Sequence, residues 1–243
     1  MRTPRCHVAH SLDPDCQFEL DPERSHYLLR VLRLKPGDLL ILFNGDGCEY
    51  PARLVDMEGK RARIRTGSPR RPDVESPLHI ELGQGISRGE RMDWALQKSV
   101  ELGVAAITPI WAARTEVRLS GTRLDKRLAH WRGVIRSACE QSGRLCLPTL
   151  SAPAPLGAWC KYETGMRKLV LAPDAKQRLT ELEPAHRLRV LIGPEGGLEE
   201  NEIETARAAG FTPVRIGPRV LRTETAAAAV IAALQTLWGD FGR

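Results

Sequence analysis

The chain reads as α/β, a small β domain followed by a parallel-sheet domain with helices on both faces. Three observations predict this. Residues 1–68 are cut into short apolar runs by turns that carry glycine or proline. From residue 78 onward, strand-like runs alternate with longer helix-like stretches. Between the two patterns, residues 69–77 (PRRPDVESP) form a stiff polar linker.

In the first segment, strands are expected at 8–10, 38–43, 49–55 and 61–65, separated by turns at Pro36-Gly37, 44–47 and Glu58-Gly59. Arg61, Arg63 and Arg65 alternate with Ala62 and Ile64, so a strand places three guanidinium groups on one face. A helical turn or two is expected over 26–32, with Asp21-Pro22 near its start. So few residues suit a small barrel better than a sandwich. In the second segment, strands are expected at 78–82, 105–110, 145–147, 168–172, 188–192 and 213–216. Helices are expected at 90–102, 122–142, 154–163, 199–209 and 224–238. Gly103 and Gly210 stand where a glycine ends a helix.

Composition narrows the function. The six cysteines contain no CxxC pair, and neither they nor the six scattered histidines have metal-ligand spacing, so reduced thiols and no metal are expected. The first ten residues lack an apolar signal core, and no apolar run approaches the ~18 residues of a membrane span. A cytoplasmic protein without membrane association is the expectation. Net charge is +6. Residues 76–168 hold 14 Lys/Arg against 8 Asp/Glu, which is the whole of that excess. Such a basic segment suits a polyanion, nucleic acid being the common one, or a well-solvated surface.

Two loops stand out. Residues 191–200 (LIGPEGGLEE) put three glycines and a proline at the end of a strand, where open α/β sheets bind ligands. Neither GxGxxG nor GxxxxGK[ST] occurs, so the loop is not a nucleotide-phosphate cradle of those kinds. A tight turn capped by Glu199, Glu200, Glu202 and Glu204 accounts for the acids but not for the glycines. The second loop, 217–225 (GPRVLRTET), leads into four alanines, Ala226 to Ala229. There Thr223 or Thr225 is alternatively a helix cap and Glu224 a first-turn acid.

Residues 191–197 and 217–226, with QKSVELGV at 97–104, EQSGR at 140–144, and HYLLRVLR at 26–33 followed by PGD at 36–38, resemble the 16S ribosomal RNA uracil-N3 methyltransferase family of the SPOUT superfamily. The resemblance covers nearly the whole chain in order. It implies a PUA-like barrel over 1–68 and a trefoil-knotted methyltransferase domain over 78–243. It further implies S-adenosylmethionine held by three loops, homodimerisation, and N3 methylation of a uridine in the decoding region of 16S rRNA, within the small ribosomal subunit. Matched onto this chain, the cofactor residues are Leu171, Ala172, Ile192, Gly193, Pro194, Glu195, Gly196, Gly197, Ile216, Gly217, Val220, Leu221, Arg222, Thr223, Thr225 and Ala226. One departure is Ala112-Ala113-Arg114, where members of the family usually carry Ser-Glu-Arg.

The chemistry asks for a group that takes the N3 proton and a cation that stabilises the uridine anion. Arg136, Arg222 and Glu224 are the residues nominated for this step, with Glu195 as the alternative carboxylate. Arg30, Arg33, Arg61, Arg63 and Arg65 in the first segment, and Arg88, Arg91, Arg123, Lys126, Arg127, Arg132 and Arg136 in the second, are nominated for RNA phosphates. A knotted methyltransferase acting on a 2′-hydroxyl or a tRNA base, or a non-catalytic RNA-binding module, is the alternative.

Overall fold

The computed structural model describes residues 3–117 and 119–242. The chain separates into two compact units. The first runs through Glu75 and also takes in Cys139–Leu147; the second holds Ser76–Ala138 and the chain from Pro148 onward.

The first unit contains β1 (Arg5–His7), β2 (Gln17–Glu19), α1 (Pro22–His26), a π-helical turn (Tyr27–Val31), β3 (Leu39–Phe43), β4 (Tyr50–Glu58) and β5 (Arg61–Thr66). Its strands form one sheet in the order β1-β3-β4-β5-β2, antiparallel except where β1 joins β3. In β5 the expected alternation holds: Ala62, Ile64 and Thr66 are buried, while Arg61 and Arg65 are exposed. The inward side chains join Leu20, Leu28, Leu40, Leu42 and Leu54 in one apolar core. Asp21 caps α1 by accepting from the Arg24 N–H at 2.9 Å, and Pro22 opens the helix. Two details differ from the sequence reading. The first strand lies at 5–7 rather than 8–10, and β2 went unforeseen because three residues of mixed exposure carry no period.

The EQSGR motif belongs to this unit. Glu140 accepts from the His7 N–H at 3.0 Å and from Arg24 Nη1 at 3.1 Å. Arg144 binds the Glu75 carboxylate, which also accepts from the Leu145 and Cys146 N–H groups at 2.9 and 3.0 Å. Those bonds explain why the strand expected at 145–147 is absent: its backbone donors are spent on a side chain.

The second unit contains β6 (His79–Gly85), α2 (Glu90–Glu101), β7 (Ala106–Trp111), α3 (Gly121–Ser142, whose last turn is counted with the first unit), β8 (Thr149–Leu150), β9 (Ala154–Pro155) and α4 (Leu156–Lys161). It continues with β10 (Arg167–Leu171), a 3₁₀ turn (Leu179–Glu181), β11 (Arg187–Ile192), α5 (Glu200–Ala208), β12 (Phe211–Val214) and α6 (Thr223–Trp238). The sheet order is β12-β10-β11-β6-β7-β8, with β9 also on β7, and every pairing is parallel. This is the α/β parallel-sheet class expected. The chain leaves β6 toward β7 on one side and returns on the other, so the order reverses beside β6 and β11. Ligand crevices of open parallel sheets form at the carboxyl ends of strands about such a reversal.

β11 is buried from Leu188 onward, as befits a central parallel strand. Within it Arg189 is 2% exposed. Its guanidinium stacks 3.9 Å from the Trp159 ring centroid and pairs with Glu81 at 3.2 Å. It also donates to the Trp159 and Tyr162 carbonyls at 3.1 and 3.0 Å. Burial pushes this guanidinium's pKa down, against the Glu81 charge that holds it up. Near the other end of α6, Gln235 accepts from Ser76 Oγ at 2.7 Å and donates to the Leu102 carbonyl at 2.9 Å, tying α6 to the end of α2.

Candidate active site

A cavity of about 440 Å³ opens at the carboxyl ends of β10, β11 and β12. Its walls are the segments 171–175, 192–198 and 213–221, with Thr223 and Ala226 from the start of α6 and Glu200, Ile203 and Arg207 from α5. Every nominated cofactor residue lines it except Arg222 and Thr225. Arg222 stands at the cap of α6 with its side chain exposed, and Thr225 faces outward in the first turn. Residues 173–175 and the α5 residues were missed, because loop length and helix rotation leave no mark in a motif.

The 193–197 loop owes its shape to close approaches. A Cβ on Gly85 would stand 2.2 Å from the Pro194 nitrogen, so β6 carries glycine where the loop crosses it. A turn closes with the Gly197 N–H donating to the Pro194 carbonyl at 2.9 Å, and Gly197 itself has φ +73°. Arg114 Nη1 donates to the Gly196 carbonyl at 2.9 Å, and the Ala113 N–H donates to Glu202 at 2.8 Å. The segment Ala112-Ala113-Arg114 therefore braces the loop and the start of α5, a task that needs the arginine and backbone only.

Glu195 works as a strut. Its carboxylate accepts from the Arg88 N–H at 2.8 Å and from Arg91 Nη1 at 3.4 Å. Burial pushes its pKa up, but hydrogen bonds from the Arg88 and its own N–H, from Ser87 and from Arg91 outweigh burial and hold it below the ordinary carboxylate range. On the inner side, Thr223 Oγ donates to the Gly193 carbonyl at 2.6 Å and accepts from Gln84 Nε2 at 2.8 Å. The last long segment of the chain is thereby fastened to the loop after β11. Gln84 was missed by sequence reasoning; its one signal is an amide between two glycines near the end of a strand.

The nominated catalytic residues are placed unevenly. Arg222 and Glu224 flank Thr223, which lines the cavity, yet neither is among the lining residues described. One carboxylate oxygen of Glu224 is buried with no hydrogen-bond partner. Arg136 is half-buried on α3. Of the phosphate-binding nominees, Arg30, Arg33, Arg61, Arg65, Arg123, Lys126 and Arg132 are exposed, while Arg127 is half-buried. Arg88 and Arg91 are exposed but engaged with Glu116 and Glu195. Arg63 is taken up by Glu19, Asp56 and Glu58 on neighbouring strands. Among the described residues, no cluster of His, Cys, Asp and Glu is arranged to hold a metal ion, and no helix is long and apolar enough to cross a membrane. All six cysteines are free, and burial pushes the Cys6 and Cys139 thiols up to about 12.

Residues 74–235 match the family model of the RNA methyltransferase domain, and residues 20–66 that of the RNA methyltransferase PUA domain. Fold and sequence together thus define an RNA methyltransferase. A curated relative from Buchnera aphidicola (subsp. Acyrthosiphon pisum, strain APS), ribosomal RNA small subunit methyltransferase E, is 35% identical over 242 residues, covering 99% of this chain and 96% of its own. The chain belongs to the ribosomal RNA small subunit methyltransferase E family. Among solved structures, the family member from Neisseria gonorrhoeae bound to S-adenosyl methionine is 40% identical, covering 99% of this chain and 100% of its own, with TM-score 0.93. A Legionella pneumophila protein assigned as a methyltransferase, in complex with the cofactor SAM, is 38% identical at the same coverage, with TM-score 0.96.

Proposed function

We propose that this chain binds S-adenosylmethionine in the cavity at the ends of β10, β11 and β12 and methylates N3 of a uridine in the decoding region of 16S rRNA, as a cytoplasmic homodimer acting on the small ribosomal subunit. The observation that carries the reading is the convergence of three separate segments, 171–175, 192–198 and 213–221, on one cavity. Two solved relatives at 38% and 40% identity hold the same cofactor.

The residues present fit that ligand. A volume of about 440 Å³ suits a nucleoside-sized molecule. Beyond its chain neighbours, nothing lies within 4 Å of where a Cβ on Gly217 would stand, so the space beside it is open. Leu171, Ala172, Ile216 and Leu221 offer apolar walls for a purine, and the lining carries both carboxylates, Asp174 and Glu200, and guanidinium groups, Arg207, Arg215 and Arg219, as partners for a ligand that bears both charges. When bound, the cofactor supplies an electrophilic methyl group.

The chain's own residues do the rest. Uridine N3 is nucleophilic only once its proton has left, and Glu224, with an unpaired carboxylate oxygen, is the acceptor we assign. Arg222, beside it, and Arg136 are assigned to the charge that develops on the base. The exposed arginines and lysine of both units hold phosphates and set the register of the RNA.

Mass mapping of rRNA from cells with and without the gene tests the target and the chemistry together. A single uridine losing one methyl group at N3 is expected. Loss of a 2′-O-methyl group, or of a tRNA modification, would overturn the assignment.

A further inference from the structure

We propose that Gln84 is a positioning residue for the methyl-donor site, acting through Thr223 to hold the Gly193 carbonyl and so fix the width of the cavity. The inference rests on the reading of that cavity as the S-adenosylmethionine site. Gln84 is fully buried in β6 and lies in register with Ile192, the residue from which the 193–197 loop departs. Its Nε2 donates to the Gly85 carbonyl at 3.2 Å and to Thr223 Oγ at 2.8 Å. The reverse amide orientation would set two acceptor oxygens against each other at Gly85, so the NH₂ group must face Thr223.

That orientation fixes the next bond. A threonine hydroxyl has one proton. With one lone pair occupied by the Gln84 N–H, the proton is directed to the Gly193 carbonyl, 2.6 Å away. The chain Gln84, Thr223, Gly193 has a single donor direction. It joins two walls of the cavity, the loop after β11 and the start of α6. Gln84 Oε1 is buried without a partner. Burying an unsatisfied acceptor costs stability, so the amide is retained here for its donors. A glutamate at this position would instead compete for the hydroxyl proton and leave the Gly193 carbonyl without a donor.

The test uses the full-length protein and the variants Thr223→Val, Thr223→Ser, Gln84→Glu and Gln84→Met. S-adenosylmethionine affinity is read by calorimetry, KM for cofactor and for RNA by initial rates, and folding by thermal melts without ligand. Loss of one net hydrogen bond at a wall predicts a weakening of roughly tenfold for Thr223→Val and Gln84→Glu. The cofactor KM should rise with the RNA KM unchanged, and Thr223→Ser should restore affinity. Should Gln84→Glu fail to fold, Gln84→Met, similar in volume and without donors, carries the same expectation. Parental affinity in folded Thr223→Val and Gln84→Met, or no restoration by Thr223→Ser, would overturn the proposal. Failure of the parent protein to bind the cofactor would instead sink the reading on which it rests.

Discussion

Gly85 and Gly217 show how one residue type serves two purposes. A Cβ at Gly85 would meet Pro194 backbone at 2.2 Å, whereas one at Gly217 would meet nothing within 4 Å. Gly85→Ala must therefore displace the loop and should cost about 1–3 kcal/mol as well as cofactor binding. Gly217→Ala should leave the melting temperature unchanged and weaken only the ligand, and melts paired with calorimetry separate the two. Glu195 gives a pH prediction. A carboxylate whose pKa is depressed by folding stabilises at pH above its unfolded value and loses that contribution as pH falls through the folded one. Glu195→Gln should thus melt below the parent at neutral pH, the gap closing only in acid below the ordinary carboxylate range. A gap independent of pH would show that charge is not what Glu195 contributes. For Glu224, the Gln variant should slow single-turnover methylation at neutral pH by about a hundredfold or more. An unchanged rate from neutral to alkaline pH would remove it as the proton acceptor.

At the scale of elements, the sheet is held by apolar strands that also bury charge, Lys168 in β10 and Arg189 in β11. Arg189 sits in β11 at 2% exposure, with Glu81 of β6 as its counter-ion. Truncating Glu81 leaves the guanidinium buried against Trp159, so Glu81→Ala should cost about 3 kcal/mol, the low end for a broken buried pair because Glu81 keeps partial solvent contact. Denaturant unfolding measures it, and a change within error would mean that the stacking and carbonyl contacts suffice. The period of the sequence revealed β6, β7, β10, β11 and β12 and all the longer helices, since apolar runs and helix-ending glycines are local signals. Arg189 was invisible for the same reason: a buried charge breaks the period, and only the neighbouring strand and the Trp159 ring explain it. The 193–197 loop was legible because Gly193 and Gly196 answer to close approaches that the chain itself makes, whereas Gly217 in the second loop borders open space. The braces behind them, Arg114 on Gly196 and Gln84 under Thr223, were not, because a polar residue in a strand or turn does not announce its partner.

For the molecule as a whole, the charge of +6 matters less than where free cations lie. Arg63, expected beside Arg61 and Arg65 as an RNA contact, is neutralised by three carboxylates. Arg30, on the π-helical turn, and Arg33, exposed with φ +57°, are presented outward from the first unit. Each phosphate contact adds about one to the slope of log affinity against log salt. Replacing Arg30 and Arg33 by alanine should lower that slope by roughly two, and Arg63→Ala should leave it unchanged. Filter binding to 16S rRNA across a salt series decides, and equal slopes for all variants would dismiss the outward arginines as phosphate ligands.

The bond from Thr223 to Gly193 also has a consequence in time. Synthesis delivers β6 before the 193–197 loop, and that loop before α6. A nascent chain can assemble most of its parallel sheet while the donor pocket still lacks the wall formed by Thr223 and Ala226. The cavity is therefore completed only once the start of α6 has emerged, and a product cut short before residue 222 would keep the loops but lack the wall that Thr223 and Ala226 supply.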